Sequence, residues 1–264
     1  MILKTTNVKY SFGKNIIFQN VNLDIREGDV LCLLGKNGCG KSTLINCISK
    51  YYKTYNSIFI NDKPVDKYNF NEYSKYVSTV PQNNYIDCNF DALTVVLMGR
   101  TPYIRYFCQP SEKDIEIARY YMYFLAIENL ENRRYSTLSV GQQKMVLIAQ
   151  SLAKETPVLV FDEPTAPLDL HNKELFIDLL RKITDYGKII ILSSHDPNDA
   201  FLLSNKVVLF TDHDVLYGNT HDILTSENVS LVYDVIAELV TVNNRQFFIF
   251  GGNRHEHMAS GYKT

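Results

Sequence analysis

Short apolar runs punctuate the chain: VLCLL (30–34), SIFI (57–60), VSTV (77–80), VLVF (158–161), IIIL (189–192) and VVLF (207–210). They are rich in β-branched residues, and several are apolar at every position. A strand with one face in water alternates apolar and polar residues. A strand covered on both faces need not, and that is the habit of a parallel sheet sandwiched between other layers. Between the runs, helical stretches lie over 41–51, 172–185 and 197–204. Strand and helix therefore alternate, which predicts an α/β fold.

Residues from about 85 to 150 break the pattern, with no strong strand run. Ser111 before EKD offers an N-cap, and Ile115, Ala118, Met122 and Leu125 recur at helical spacing as a core-facing stripe. A helical insert is predicted there. Near the end, ELVTVNNRQFFIF reads as two strands around an Asn-Asn turn, a hairpin closing a domain over 1–250. The polar tail 251–264 contains His255 and His257, and reads as disordered chain rather than a metal site.

Composition narrows the function classes. The chain has 264 residues, 45% hydrophobic and 21% charged, enough for a sizeable core. A net charge of −2 leaves no basic surplus for a polyphosphate backbone, which argues against nucleic-acid binding. The N-terminus lacks a signal peptide's apolar core, and no window approaches the roughly 20 apolar residues of a membrane span. Five cysteines (Cys32, Cys39, Cys47, Cys88, Cys108) form no CxxC pair, consistent with free thiols in a reducing compartment and no structural zinc.

The chemistry begins at GKNGCGKST (35–43), which follows a predicted strand and precedes a helix. That is the context a G-x-x-x-x-G-K-[ST] phosphate loop requires. Gly35, Gly38 and Gly40 let the backbone turn tightly and gather N–H groups around a triphosphate. Lys41 reaches the β- and γ-phosphates, Ser42 offers an oxygen to Mg²⁺, and the helix N-terminus adds its positive end. VLVFDE (158–163) ends a strand in two acids. Alone, such a pair reads as a turn; beside a phosphate loop, Asp162 reads as the Mg²⁺ residue and Glu163 as a general base for water. The pair of motifs predicts an NTPase. In LSVGQQ, Ser139 and Gln142 form a capping box at a helix start, which is also an anion site in form.

The order of these motifs resembles the ATP-binding subunit of ABC transporters along essentially the whole chain. The resemblance rests on GKNGCGKST, Gln82 in VSTVPQ, LSVGQQ, VLVFDEPT, Asp169 in APLDL and His195 in SSHD. It implies a P-loop NTPase core, a mainly parallel sheet flanked by helices, with an N-terminal antiparallel β subdomain and a helical insert. It implies ATP and Mg²⁺ held by Gly35, Lys36, Asn37, Gly38, Cys39, Gly40, Lys41, Ser42 and Thr43. Phe12 would stack on adenine, with Tyr10 as the nearby alternative. Gln82 would reach Mg²⁺ and the attacking water, and His195 the γ-phosphate. Ser139, Gly141 and Gln142 would close on ATP held by a second copy, head to tail, with Asp169 also at that site. A separate membrane permease and, indirectly, a substrate-binding protein are the implied partners, at the cytoplasmic face of the membrane. ALTVVLMGRTPYIRYF (92–107) and GNTHDILTSENVSLVYDV look like the subset serving iron–siderophore, haem, cobalamin or molybdate uptake. In it, exposed Tyr103, Ile104, Tyr106 and Phe107 would receive a permease helix or form a partly buried aromatic cluster.

Three positions depart from the family pattern: Val140 stands for a common glycine, Lys36 for a common proline, and Ala166-Pro167 for Ser-Ala. An exporter subunit, a soluble non-transport ATPase of the same family, and a module that grips ATP without turnover remain alternatives at this point.

Overall fold

The computed structural model describes residues 1–82, 89–105, 107–166, 168–211, 214–243 and 245–253. Pro167, Tyr106, Cys88, Asn244 and the two tail histidines, all invoked above, lie outside them.

Strands β1 (Ile2–Phe12), β2 (Asn15–Arg26), β4 (Ile58–Ile60) and β5 (Lys63–Pro64) form an antiparallel sheet in the order β2-β1-β4-β5. A second sheet has the order β10-β9-β3-β8-β7-β6. Its members are β3 (Val30–Leu34), β6 (Val77–Val80), β7 (Val158–Phe161), β8 (Ile189–Ser194), β9 (Lys206–Phe210) and β10 (Val215–Asn219). All neighbours pair in parallel except β9 with β10. β11 (Val235–Val242) and β12 (Arg245–Asn253) make the expected terminal hairpin.

The uniformly apolar strands are explained by two cores, one on each face of the parallel sheet. Val30, Cys32 and Leu34 of β3 enter one core, Leu31 and Leu33 the other. β7 divides likewise, Leu159 and Phe161 against Val158 and Val160, and β8 sends Ile190 and Leu192 opposite to Ile189 and Ile191. One core is shared with the antiparallel sheet, through Leu3, Val21 and Ile25, and with α1 (Lys41–Ile48). The short α2 (Phe70–Ser74) adds Tyr73 to it.

The other core carries α3 (Ala92–Leu97), α4 (Glu112–Phe124), α5 (Val140–Ala153), α6 (Leu170–Asp185) and α7 (Pro197–Leu203). The C-terminal α8 (Thr220–Ile223) and α9 (Ser226–Tyr233) join it. Between β6 and β7 the described residues form helices joined by turns, with no strand beyond an isolated Asp91–Arg134 bridge. Ser111 caps α4 in a reciprocal box with Asp114, and Ala118, Met122 and Leu125 are buried, with Ile115 only partly so. α1 ends at Ile48, short of residue 51, because Lys50 takes a left-handed φ of 64°. α6 starts two residues earlier than expected, where the Asp169 carboxylate caps the Asn172 amide at 2.8 Å.

Candidate functional site

The phosphate-loop sequence leaves β3 at Gly35 and enters α1 at Lys41. Gly40, the N-cap, has φ 114°, and a Cβ there would sit 2.8 Å from Ile17 Cγ2 and 3.1 Å from Phe18 Cδ1. Both backbone and space therefore demand glycine. No side chain caps α1 and its first turn carries no acid, so its free N–H groups and positive end are left to an anion. Lys41 is buried, and its Nζ donates to the Gly35 and Lys36 carbonyls at 2.7 and 2.9 Å. Lys36, Asn37 and Gly38 are exposed along the loop, Cys39 is half-buried, and Ser42 and Thr43 open the helix.

The acidic strand end lies one strand beyond β8 in the same sheet. Asp162 is buried, and the fully buried Ser193 donates its hydroxyl to Asp162 Oδ1 at 2.6 Å. The same Ser193 oxygen accepts the Glu163 N–H at 2.8 Å. One serine at the end of β8 thus fixes the two acids relative to each other. Glu163 holds φ 45°, a conformation few non-glycine residues adopt, and the Ser193 bond helps keep it there. Gln82 Nε2 donates to Glu163 Oε2 at 2.6 Å, while His195 Nδ1 lies 3.9 Å from Oε1. Gln82, Asp162, Glu163 and His195 are therefore one cluster. A carboxylate held at one oxygen by Gln82, with a histidine 3.9 Å from the other, can take a proton from water.

Behind the cluster, Lys144 of α5 buries its ammonium and donates to the Pro81 carbonyl at 2.9 Å, tying the helical region to the segment that carries Gln82. Burial lowers its pKa to about 8, against the opposing pull of Asp162 and Glu163. A second hub is the buried Asp199 of α7, which accepts from Lys173 Nζ at 2.6 Å, Thr165 Oγ1 at 3.1 Å and Ser194 Oγ at 3.2 Å. Ser193, Lys144 and Asp199 escaped the motif reading. The one signal for Ser193 was a polar end to the run IIILSS, beside the motif histidine.

Ser139 and Gln142 form the predicted capping box at the start of α5, Ser139 Oγ accepting the Gln142 N–H and Gln142 Oε1 the Ser139 N–H. Their side-chain hydrogen bonds stay within the box. Gly141 sits in the first turn, and Val140, the first helical residue, is 68% exposed. At the end of β1, Tyr10 stacks on Tyr52 with centroids 5.0 Å apart, whereas Phe12 meets both rings edge-on and is half exposed. Phe12 is thus the more exposed ring, and one face of Tyr10 is taken by Tyr52. Asp169 spends one carboxylate oxygen on the α6 cap.

Among the described residues no three His, Cys, Asp or Glu side chains gather in a way that could hold a metal ion. The donors on hand near the loop and the strand end are the Ser42 hydroxyl, the Gln82 amide oxygen and one carboxylate, Asp162. That all-oxygen, single-carboxylate set fits Mg²⁺, which keeps waters and takes substrate phosphates as its remaining ligands.

Outside this cluster, a groove of about 700 Å³ runs between the parallel-sheet body and the helical region, lined among others by Tyr51, Phe70, Met98, Ile104, Phe107 and Lys154. Phe107 is fully exposed and Tyr103 41% so, but Ile104 is half-buried, not exposed as expected.

The family model described as "ABC transporter" matches residues 18–166, more than half of the chain and the span from β2 through the acidic strand end. The chain belongs to that family. It is a transport ATPase of the ABC type, and the fold is that of the family's ATP-binding cassettes. It is 31% identical over 225 residues to the "Molybdate import ATP-binding protein MolC" of Haemophilus influenzae, covering 85% of this chain and 84% of the relative. Among solved structures, a metal-chelate type ABC transporter in an inward-facing conformation superposes with a TM-score of 0.83 at 28% identity, covering 97% of this cassette and 99% of that chain. A dimeric ATP-binding cassette in a post-hydrolysis state, bound to ADP and Pi, superposes with a TM-score of 0.71 at 28% identity, over 83% of this chain and 98% of that one.

Proposed function

We propose that this cassette powers an importer for metal chelates or oxyanions, of the iron–siderophore, haem, cobalamin or molybdate type. The observation that carries this is the match, over 97% of the chain, to a metal-chelate type transporter. ATP is the substrate. Its triphosphate lies in the loop 35–43, with Lys41 moving from the Gly35 and Lys36 carbonyls to the β- and γ-phosphates, and adenine rests on the exposed Phe12 ring. Ser42, Asp162 and Gln82 would hold Mg²⁺, which would supply positive charge to offset that of the phosphates. Glu163 takes a proton from the attacking water, whose oxygen forms the new bond to the γ-phosphorus as the bond to ADP breaks. Gln82 fixes one Glu163 oxygen so that the other, on the His195 side, faces the water. His195 contacts the γ-phosphate.

Two copies act together, as in the dimeric relative. Ser139, Gly141 and Gln142 at the α5 N-terminus meet the γ-phosphate on the other copy, with Asp169 at the seam, so ATP joins the faces and hydrolysis parts them. No described helix is long and apolar enough to cross a membrane. As in the transporters of its relatives, a membrane permease supplies the pore and seats a helix in the groove beside Tyr103 and Phe107 at the cytoplasmic face. A substrate-binding protein delivers the cargo. Purifying the cassette with its co-encoded permease and binding protein, then measuring the elements retained, tests this reading. Retained iron, cobalt, molybdenum or tungsten supports it; a complex with no binding protein and outward ATP-driven flux overturns it.

A further inference from the structure

Phe12, the ring assigned to adenine, stays half exposed at the end of β1. It stands edge-on to two other rings, Tyr10 at 5.2 Å and Tyr52 at 5.8 Å between centroids. Those two lie nearly parallel, 5.0 Å apart with 16° between their planes. Both are half-buried against the core shared with the antiparallel sheet. The three rings therefore close a triangle, and Phe12 is its exposed corner.

Tyr52 comes from a distant part of the chain, and the phosphate-loop helix sets its place. α1 begins at the loop and ends at Ile48; Lys50 then turns left-handed at φ 64°. The Tyr51 and Tyr52 amides both donate to the Asn46 carbonyl, at 2.9 and 3.1 Å. This closure of the helix end turns the chain back and brings Tyr52 against β1. The rings also continue inward. Tyr10 lies 6.5 Å from Phe18 of β2, and Phe18 lies 6.3 Å from Phe210 of β9. Phe18 and Phe210 are side chains that a Cβ at Gly40 would meet, at 3.1 and 3.6 Å. One aromatic path thus joins Phe12 to a glycine of the phosphate loop.

An exposed phenylalanine samples several rotamers, and fixing it under a base costs entropy at the moment of binding. Rings packed edge-on hold it beforehand. Tyr10 is in turn held by the parallel Tyr52. We propose that Tyr52 is a positioning residue for the nucleotide base: stacked on Tyr10 and edge-on to Phe12, it fixes the Phe12 ring in the orientation that takes adenine. The helix that starts at the triphosphate loop thereby also sets where the base lies. This rests on the reading of Phe12 as the adenine platform.

Tyr52→Leu and Tyr52→Met remove the ring and keep apolar volume against the core, whereas Tyr52→Phe keeps the stack and removes only the hydroxyl. In calorimetric titrations of the full chain with Mg-ATP, Tyr52→Leu and Tyr52→Met should bind about three- to tenfold more weakly, the worth of one aromatic pair, and Tyr52→Phe as wild type. Combined with Phe12→Ala, Tyr52→Leu should add no further loss, since the ring it positions is gone. A merely structural role would weaken binding in both backgrounds. The proposal is overturned by Tyr52→Leu and Tyr52→Met at wild-type affinity, by Tyr52→Phe as weak as they are, or by a Tyr52→Leu loss that persists beside Phe12→Ala. Its basis fails separately: a wild-type chain that binds no Mg-ATP, or Phe12→Ala at wild-type affinity, removes the adenine reading and this proposal with it. Weakened Phe12→Ala beside unaltered Tyr52→Leu removes this proposal alone.

Discussion

Ser193→Ala is the sharpest probe of how the fold builds the cluster of Asp162 and Glu163 that we propose to be catalytic. The side chain is fully buried, so a methyl fits without a cavity, and the cost is purely that of hydrogen bonds. Two are lost. One, to Asp162 Oδ1 at 2.6 Å, is charge-assisted and contributes about 1.5–3 kcal/mol. The other leaves the Glu163 N–H without its acceptor, at about 1–3 kcal/mol, and frees a residue held at φ 45°. With some relaxation, a stability loss of about 3 kcal/mol follows, read from urea unfolding. Because Asp162 and Glu163 lose their common anchor, kcat for ATP should fall about 10- to 100-fold, as for other groups that orient metal ligands, while ATP affinity stays near wild type. Ser194→Ala is the comparison: its hydroxyl donates to Asp199 at 3.2 Å and accepts the Asp196 N–H at 3.0 Å, neither bond touching Asp162 or Glu163, and Asp199 keeps Lys173 at 2.6 Å. It should cost about 1–2 kcal/mol in stability and leave the Asp162–Glu163 geometry in place. A Ser193→Ala protein as stable and as fast as wild type would refute the reasoning.

Gly40→Ala should abolish ATP binding without unfolding the protein, because the new Cβ meets Ile17 and Phe18 at φ 114° and the loop must move; retained affinity in a titration would contradict this. Lys154 is pressed down to about pH 8 by burial, so its folded pKa lies below the unfolded value near 10.5. The folded state then binds fewer protons, and the penalty, full below about pH 8, is relieved as pH rises through about 8 to 10.5. Wild type should gain on Lys154→Gln over that window by up to about 3 kcal/mol in urea unfolding, and a gap that stays constant would rule the shift out. Val140→Gly removes an exposed β-branched side chain at the α5 start and should speed or tighten ATP-dependent dimer closure, followed by light scattering; no change makes the valine a neutral substitution.

The strands VLCLL, VSTV and VLVF are found at the bounds their apolar runs set, because each is sandwiched and hydrophobicity begins and ends with burial. β1 and β2 were expected only through family resemblance. Their alternation is broken by register shifts, with Asn7 and Asn20 at positive φ, so no clean period survives in the sequence. The phosphate loop, the acidic pair and the capping box were legible because each is a local device whose parts are adjacent in the chain. Ser193 was not, since it acts on residues that only the fold brings close: it lies 31 positions from Asp162. The same holds for Lys144, an ordinary helix residue in sequence and a buried ammonium on the Pro81 carbonyl in the fold.

The central claim is that Glu163, held by Gln82 and flanked by His195, is the base that activates water for ATP cleavage. Glu163→Gln keeps the size and the left-handed backbone and removes only the basicity. Phosphate release from the assembled transporter should fall by about a hundredfold or more, the usual worth of a general base, while ATP still binds and the dimer stays closed. Phosphate release unchanged from wild type would contradict the account.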